Sequence, residues 1–171
     1  MKKLTVLILA TALAILAGCG TKSTYIQTPG AQAVNQADGF MAGQVNDLSG
    51  FEFDPKDKEA FSLKEAMAAA LGDALTKQGL ADGKGRYSVN VNILAYAPGS
   101  AFTRWLLPGA GATRLSVEAL VMDSHDVQVA KIPIERHISA GGAYTAGAYK
   151  YIFEEVAQEI VTVIKNPAKA K

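Results

Sequence analysis

The sequence predicts an α+β fold, a two-layer α/β sandwich in which a mostly antiparallel sheet carries two helices on one face, in the order β-α-β-β-β-α. Three observations lead there. Tyr87, Val89, Val91 and Ile93 alternate with Ser88, Asn90 and Asn92, the period of two that marks a half-buried strand. Ser62-Leu63-Lys64-Glu65 has the form of a capping box, and Ala66, Met67, Ala70, Leu71, Ala74 and Leu75 follow it at three- and four-residue steps. A second apolar stripe, Tyr151 or Ile152, Val156, Ile160, Val163 and Ile164, predicts a final helix over 144–165, stopped by Asn166-Pro167.

The remaining elements fall between these. Residues 40–48 form a first strand whose pattern is interrupted by Gly39 and Gly43. The charged run Asp54-Pro55-Lys56-Asp57-Lys58-Glu59 reads as a solvated turn, because it lacks the Asp-x-Asp-x-Asp-Gly order of a calcium loop. Gly79 stands where a left-handed helix cap belongs. Along 113–123, Leu115, Val117, Ala119 and Val121 face one side while Leu120 and Met122 face the other, which places this strand centrally in the sheet. Ser124-His125-Asp126 turns the chain into an antiparallel partner over 127–138. Pro133 lacks an N–H for the ladder, so that partner is expected at or near an edge.

Composition bounds the function. With 171 residues, 49% of them hydrophobic, the chain has enough apolar material for one packed domain and is not a disordered chain. Its formal charge of +1 and the lack of a clustered basic patch argue against nucleic acid as a partner. One cysteine permits no intramolecular disulfide, so the domain must hold by packing.

That cysteine has a specific setting. Lys2 and Lys3 precede an uncharged run over 4–16, and Leu16-Ala17-Gly18 leads into Cys19. The run has the layout of a secretory signal and is too short to span a hydrocarbon core of roughly 30 Å, which takes about 20 apolar residues. Leu16-Ala17-Gly18-Cys19 resembles the lipobox of bacterial lipoproteins. The resemblance implies that the Cys19 thiol receives a diacylglyceryl group, that the chain is cut before it, and that the new amino terminus is acylated. Several acyl chains on one residue hold a domain durably, where one holds only marginally. Gly20 stands where the family's retention signal would place Asp, which implies lipid anchoring at the periplasmic face of a Gram-negative outer membrane. The expected organisation is a signal peptide over 1–18, a lipidated N-terminus and flexible tether over 19–38, and a single α/β domain over 39–171. A free tether of that length would span roughly 25 Å.

The stretch 98–114 is long for a hairpin loop and carries Trp105, the only tryptophan, beside Arg104. Three readings of it stand. Gly109 and Gly111 could cradle a phosphate, although such a loop should lead into a helix, and Arg114 onward reads as a strand. Trp105 and Leu106 could fold back as a lid on the open end of the sheet, with the glycines permitting tight turns. Arg104, Trp105, Leu106, Leu107 and Arg114 could form an exposed contact patch, since Trp and Arg are frequent interface anchors. The order Gly99-Ser100, Arg104, Gly109-x-Gly111-Ala112 and an alternating strand ending in Asp123 resembles a family of small bacterial lipoproteins of unknown function, over approximately residues 87–165. The family supplies no reaction.

Catalytic patterns are poor. His125 and His137 lack metal-ligand spacing, no serine stands in Gly-x-Ser-x-Gly, and Glu154, Glu155 and Glu159 read as a solvated helix face. The expectation is a non-enzymatic envelope lipoprotein without cofactor or metal. It meets the membrane through lipid on Cys19 and contacts a protein partner or copies of itself through loop 99–114. The alternative is a periplasmic module that binds a small molecule or cell-wall fragment. A hydrolase would need a cleft with a perturbed carboxylate or histidine.

Overall fold

The computed structural model describes residues 19–82, 84–107, 110–139 and 147–167, without the side chains at positions 19, 20, 101, 104 and 105. The segment read as a signal, 1–18, lies outside the described residues, as does the expected helix start at Tyr144.

Six strands form one open sheet: β1 (Cys19–Ser23), β2 (Ile26–Gln27), β3 (Phe40–Asp47), β4 (Tyr87–Ala97), β5 (Thr113–Met122) and β6 (Gln128–Ile138). Two long helices, α1 (Leu63–Lys77) and α3 (Ala148–Lys165), cover one face, and a short helix, α2 (Ala101–Leu106), lies in the β4–β5 connection. The strand order is β1-β6-β5-β4-β3, with β2 also on β6. β3 and β4 are parallel because α1 returns the chain between them, and every other pairing is antiparallel.

The core lies between sheet and helices. Tyr87, Val89, Val91 and Ile93 of β4 and Leu115, Val117, Ala119 and Val121 of β5 meet Met67, Leu71 and Leu75 of α1 and Ile152, Phe153, Val156, Ile160 and Ile164 of α3, all buried. The alternate residues face an uncovered side of the sheet. There Asn90 Oδ1 accepts from Gln44 N at 2.9 Å and Asn46 Nδ2 donates to Asn92 Oδ1 at 3.1 Å, so the two asparagines bind the edge strand β3. The interruption at Gly43 is a register shift between Ala42 and Val45, and a Cβ at Gly43 would lie 2.0 Å from Asn90 Oδ1.

Helix α1 begins and ends as its residues require. The Ser62 hydroxyl accepts from Glu65 N at 3.2 Å. At the other end Gly79 N donates to Thr76 O at 3.0 Å and Leu80 N to Leu75 O at 2.9 Å, with Gly79 at φ +68°, a Schellman cap whose Leu75 and Leu80 are both buried. Ser62→Ala should therefore lower unfolding free energy by about 1 kcal/mol in urea titration, and no change would show that the cap is not used.

One expectation is corrected at the β1 edge and another is met there. Much of the tether expected over 19–38 is built into the sheet. β1 pairs with β6 from Cys19 onward, β2 adds Ile26 and Gln27, and Gln36–Asp38 form a turn of 3-10 helix. Polar side chains hold this edge from the helix side, where Ser23 Oγ donates to Glu159 Oε1 at 2.6 Å and Arg136 donates to Thr21 Oγ1. β6 is consequently the strand next to the edge, as Pro133 leads one to expect of a strand at or near one. Pro133 is tolerated because the neighbouring strand breaks opposite it: β1 ends at Ser23 against Ile134, β2 starts at Ile26 against Lys131, and Thr24 N donates to Pro133 O at 3.3 Å across the gap.

Candidate contact site at one end of the sheet

Strands β3 and β4 finish, and β1 and β5 begin, at the same end of the sheet. The β4–β5 connection crosses that end. Ser100, at φ −141° and ψ 118°, caps α2 by accepting from Thr103 N at 3.1 Å, and Leu107 N closes the last turn on Thr103 O at 2.9 Å. Below the helix the loop is drawn into a narrow neck. Ser100 N donates to Gly111 O at 2.9 Å and Thr113 Oγ1 to Pro98 O at 2.7 Å, and Thr113 is fully buried. Gly99 (φ +66°) and Gly111 (φ +65°) make the neck possible, since a Cβ at Gly99 would lie 2.4 Å from Gly111 O and one at Gly111 would lie 2.7 Å from Thr103 Cβ.

The neck holds an apolar tip in solvent. Phe102, Leu106 and Leu107 are 68%, 57% and 58% exposed, and Phe102 and Leu106 are four residues apart on one side of α2. The lid reading fails for Leu106, which does not fold onto the sheet, and Gly111 feeds strand β5, where a phosphate cradle would feed a helix. Of the expected contact residues, the structure places Leu106 and Leu107 at the tip. It places Arg104 and Trp105 in α2, with side chains outside the described ones. Arg114 stands apart, exposed on the uncovered face opposite Ala97 and His137, at a cleft of about 360 Å³ also lined by Ser116 and Glu135. Phe102 was missed, although its four-residue spacing from Leu106 would have revealed it once the loop was read as helical.

An aromatic cluster backs the same end. Phe61 and Tyr96 pack on Phe153 with ring centres 5.8 and 5.5 Å apart, and Phe51 meets Phe53 and Tyr96 edge-on at 4.9 and 5.0 Å. Burial pushes the Tyr96 phenol well above its ordinary range, and its Oη donates to Tyr149 O at 2.7 Å. At the rim the Tyr149 hydroxyl donates to Glu59, and Lys150 Nζ lies 3.1 Å from the same carboxylate, so Glu59 is held below the usual carboxylate range by these two partners in that order.

The histidines and the helix carboxylates lie apart from one another. His125 occupies the β5–β6 turn at the far end, while His137 is exposed on β6. Between α1, α3 and the β1 edge is a cleft of about 410 Å³ that includes Asp73, Lys77, Glu154, Glu155 and Glu159. Glu155 is tied to Arg136 at 2.8 Å and Glu159 to Ser23, which leaves them structural partners at this edge. Among the described residues no group of three or more His, Cys, Asp or Glu is placed to hold a metal ion, and no helix is long and apolar enough to cross a membrane.

Solved structures share the fold at low identity. A variant of PelC from Paraburkholderia phytofirmans, solved as a dodecamer, aligns with a TM-score of 0.53 at 11% identity, covering 85% of this chain and 98% of that one. A second PelC dodecamer from the same organism gives 0.50 at 12% identity, over 82% and 96% of the two chains. Protein XCC0632 from Xanthomonas campestris, of family DUF330, gives 0.51 at 12% identity, over 81% and 90%. The comparison with curated proteins found no match. The family model for a domain of unknown function, DUF4410, matches residues 44–142, from the middle of β3 through α1, β4, the loop, β5 and β6, and the chain belongs to this family.

Proposed function

We propose that the protein is an envelope lipoprotein, held by lipid on Cys19 at the periplasmic face of an outer membrane, that works by contact without turnover and as an assembly of copies. The observation that carries the reading is the apolar tip of Phe102, Leu106 and Leu107, kept in solvent by a neck of two left-handed glycines. Large exposed apolar side chains on a rigid mount mark a contact surface, because covering them would remove apolar area from water. The likeness to dodecameric PelC over 98% of that chain supports assembly. The lipobox resemblance at Leu16-Ala17-Gly18-Cys19 supports the anchor.

The test is metabolic labelling and fractionation of the full chain. Labelled palmitate should enter the parent and not Cys19→Ala, and the parent should sediment with outer membranes and run in detergent as a multiple of the monomer mass. An unlabelled parent recovered in the soluble fraction would remove the anchor, and a monomer at all concentrations would remove the assembly.

A further inference from the structure

Beyond the anchor itself, we infer that the loop tip is a second membrane contact: Phe102, Leu106 and Leu107 enter the interfacial layer of the leaflet that holds the lipid on Cys19. The inference rests on the lipid anchor proposed above and names the surface that the tip meets.

The register supplies the geometry. Ile138 of β6 pairs with Cys19 on one side and with Thr113 on the other. Adjacent strands lie about 4.8 Å apart, so Cys19 and the foot of the loop are separated by roughly 10 Å at the same end of the sheet. Sheet pairing starts at Cys19 itself, which leaves no free chain between the acylated residue and the domain. Lipid on that residue therefore brings this end of the sheet against the bilayer, where a flexible tether would have let the domain stand away.

The tip has suitable chemistry for the surface it would meet. Phe102, Leu106 and Leu107 present the exposed apolar side chains that an interfacial helix buries roughly 5–10 Å into the boundary of headgroups and acyl chains. The acidic side chains Glu52, Asp54, Asp57 and Glu59 follow β3 and are interleaved with Lys56 and Lys58, and Glu59 is paired with Lys150 at 3.1 Å. A protein partner on the tip would have to share this end with the bilayer.

Trp105 in α2 is the only tryptophan, so the unaltered chain carries its own reporter. The lipidated protein is extracted from cell membranes and reconstituted into phosphatidylethanolamine and phosphatidylglycerol vesicles, with ordinary or brominated acyl chains. Tryptophan emission should fall by about half or more in the brominated vesicles, since contact with the acyl region brings bromine to the indole. The triple variant Phe102→Ser, Leu106→Ser, Leu107→Ser, all three exposed, should keep its melting temperature and lose the quenching. A second measurement does not depend on that variant: Leu106→Cys carries a new thiol, Cys19 sulfur being blocked by lipid, and a fluorophore on it should be quenched in the same vesicles. Emission indifferent to bromine at both positions overturns the inference. So does a blue shift that follows protein concentration and ignores bromine, which would identify a second copy as the cover. The mass of the N-terminal peptide from the same samples tests the anchor separately. An unmodified Cys19 removes the anchor, whereas quenching reports the tip by itself.

Discussion

Phe153→Ala should lower the unfolding free energy by about 3–5 kcal/mol, the range for truncating a buried aromatic ring. Phe153 is 1% exposed, on the first turns of α3, with Phe61 edge-on at 5.8 Å and Tyr96 tilted at 5.5 Å. Removing the ring deletes its transfer free energy and leaves a cavity that the neighbours fill only in part, because Tyr96 is held to Tyr149 O and Phe61 precedes the cap of α1. A domain of this size has about 5–15 kcal/mol of stability in all, so the loss is a large share of it. With a urea slope of about 2 kcal/mol/M, the midpoint should fall by roughly 2 M. A shift under about 0.5 M would mean that the aromatic cluster is not a single packed unit.

How much of this was legible in the sequence depends on which signal each element uses. β4 alternates over 87–93 and β5 buries every second residue over 113–121, and α1 carries both its N-cap and its Schellman glycine, so periodicity and capping found them. The β1 edge was missed for the opposite reason. Thr21 and Ser23 turn polar side chains toward Arg136 and Glu159, so a strand held by side-chain hydrogen bonds shows no apolar alternation and has the composition of a linker. Pro133 placed β6 at or near an edge, and β6 lies second from one, its missing N–H accommodated by a local break between β1 and β2. The aromatic cluster has no period at all, since Phe51, Phe53 and Phe61 come from an irregular segment and meet Tyr96 and Phe153 only through the tertiary fold. At the site, the residue types in loop 98–114 correctly drew attention to the loop. They could not separate a lid from an exposed tip, because that choice is made by the neck at Gly99 and Gly111.

Gly99→Ala is expected to open that neck, and the effect can be divided by a comparison within the same chain. Gly50 has φ +65° and Gly99 has φ +66°, so alanine at either position meets nearly the same backbone strain, about 1–2 kcal/mol. They differ in surroundings. Around a Cβ at Gly50 there is nothing within 4 Å, whereas at Gly99 it meets Gly111 O at 2.4 Å, Ala112 C at 2.7 Å and Thr113 N at 2.7 Å, all backbone. No side chain can rotate away, so relief must come from separating residues 99 and 111, which lengthens the bond from Ser100 N to Gly111 O and draws Pro98 O from the buried Thr113 hydroxyl. Weakening these two hydrogen bonds adds about 1–3 kcal/mol in all. Gly99→Ala should therefore cost about 2–5 kcal/mol in urea titration, against about 1–2 kcal/mol for Gly50→Ala, and should expose loop 98–112 to limited proteolysis. Equal costs at the two positions would show that the neck yields freely and does not hold the tip in place.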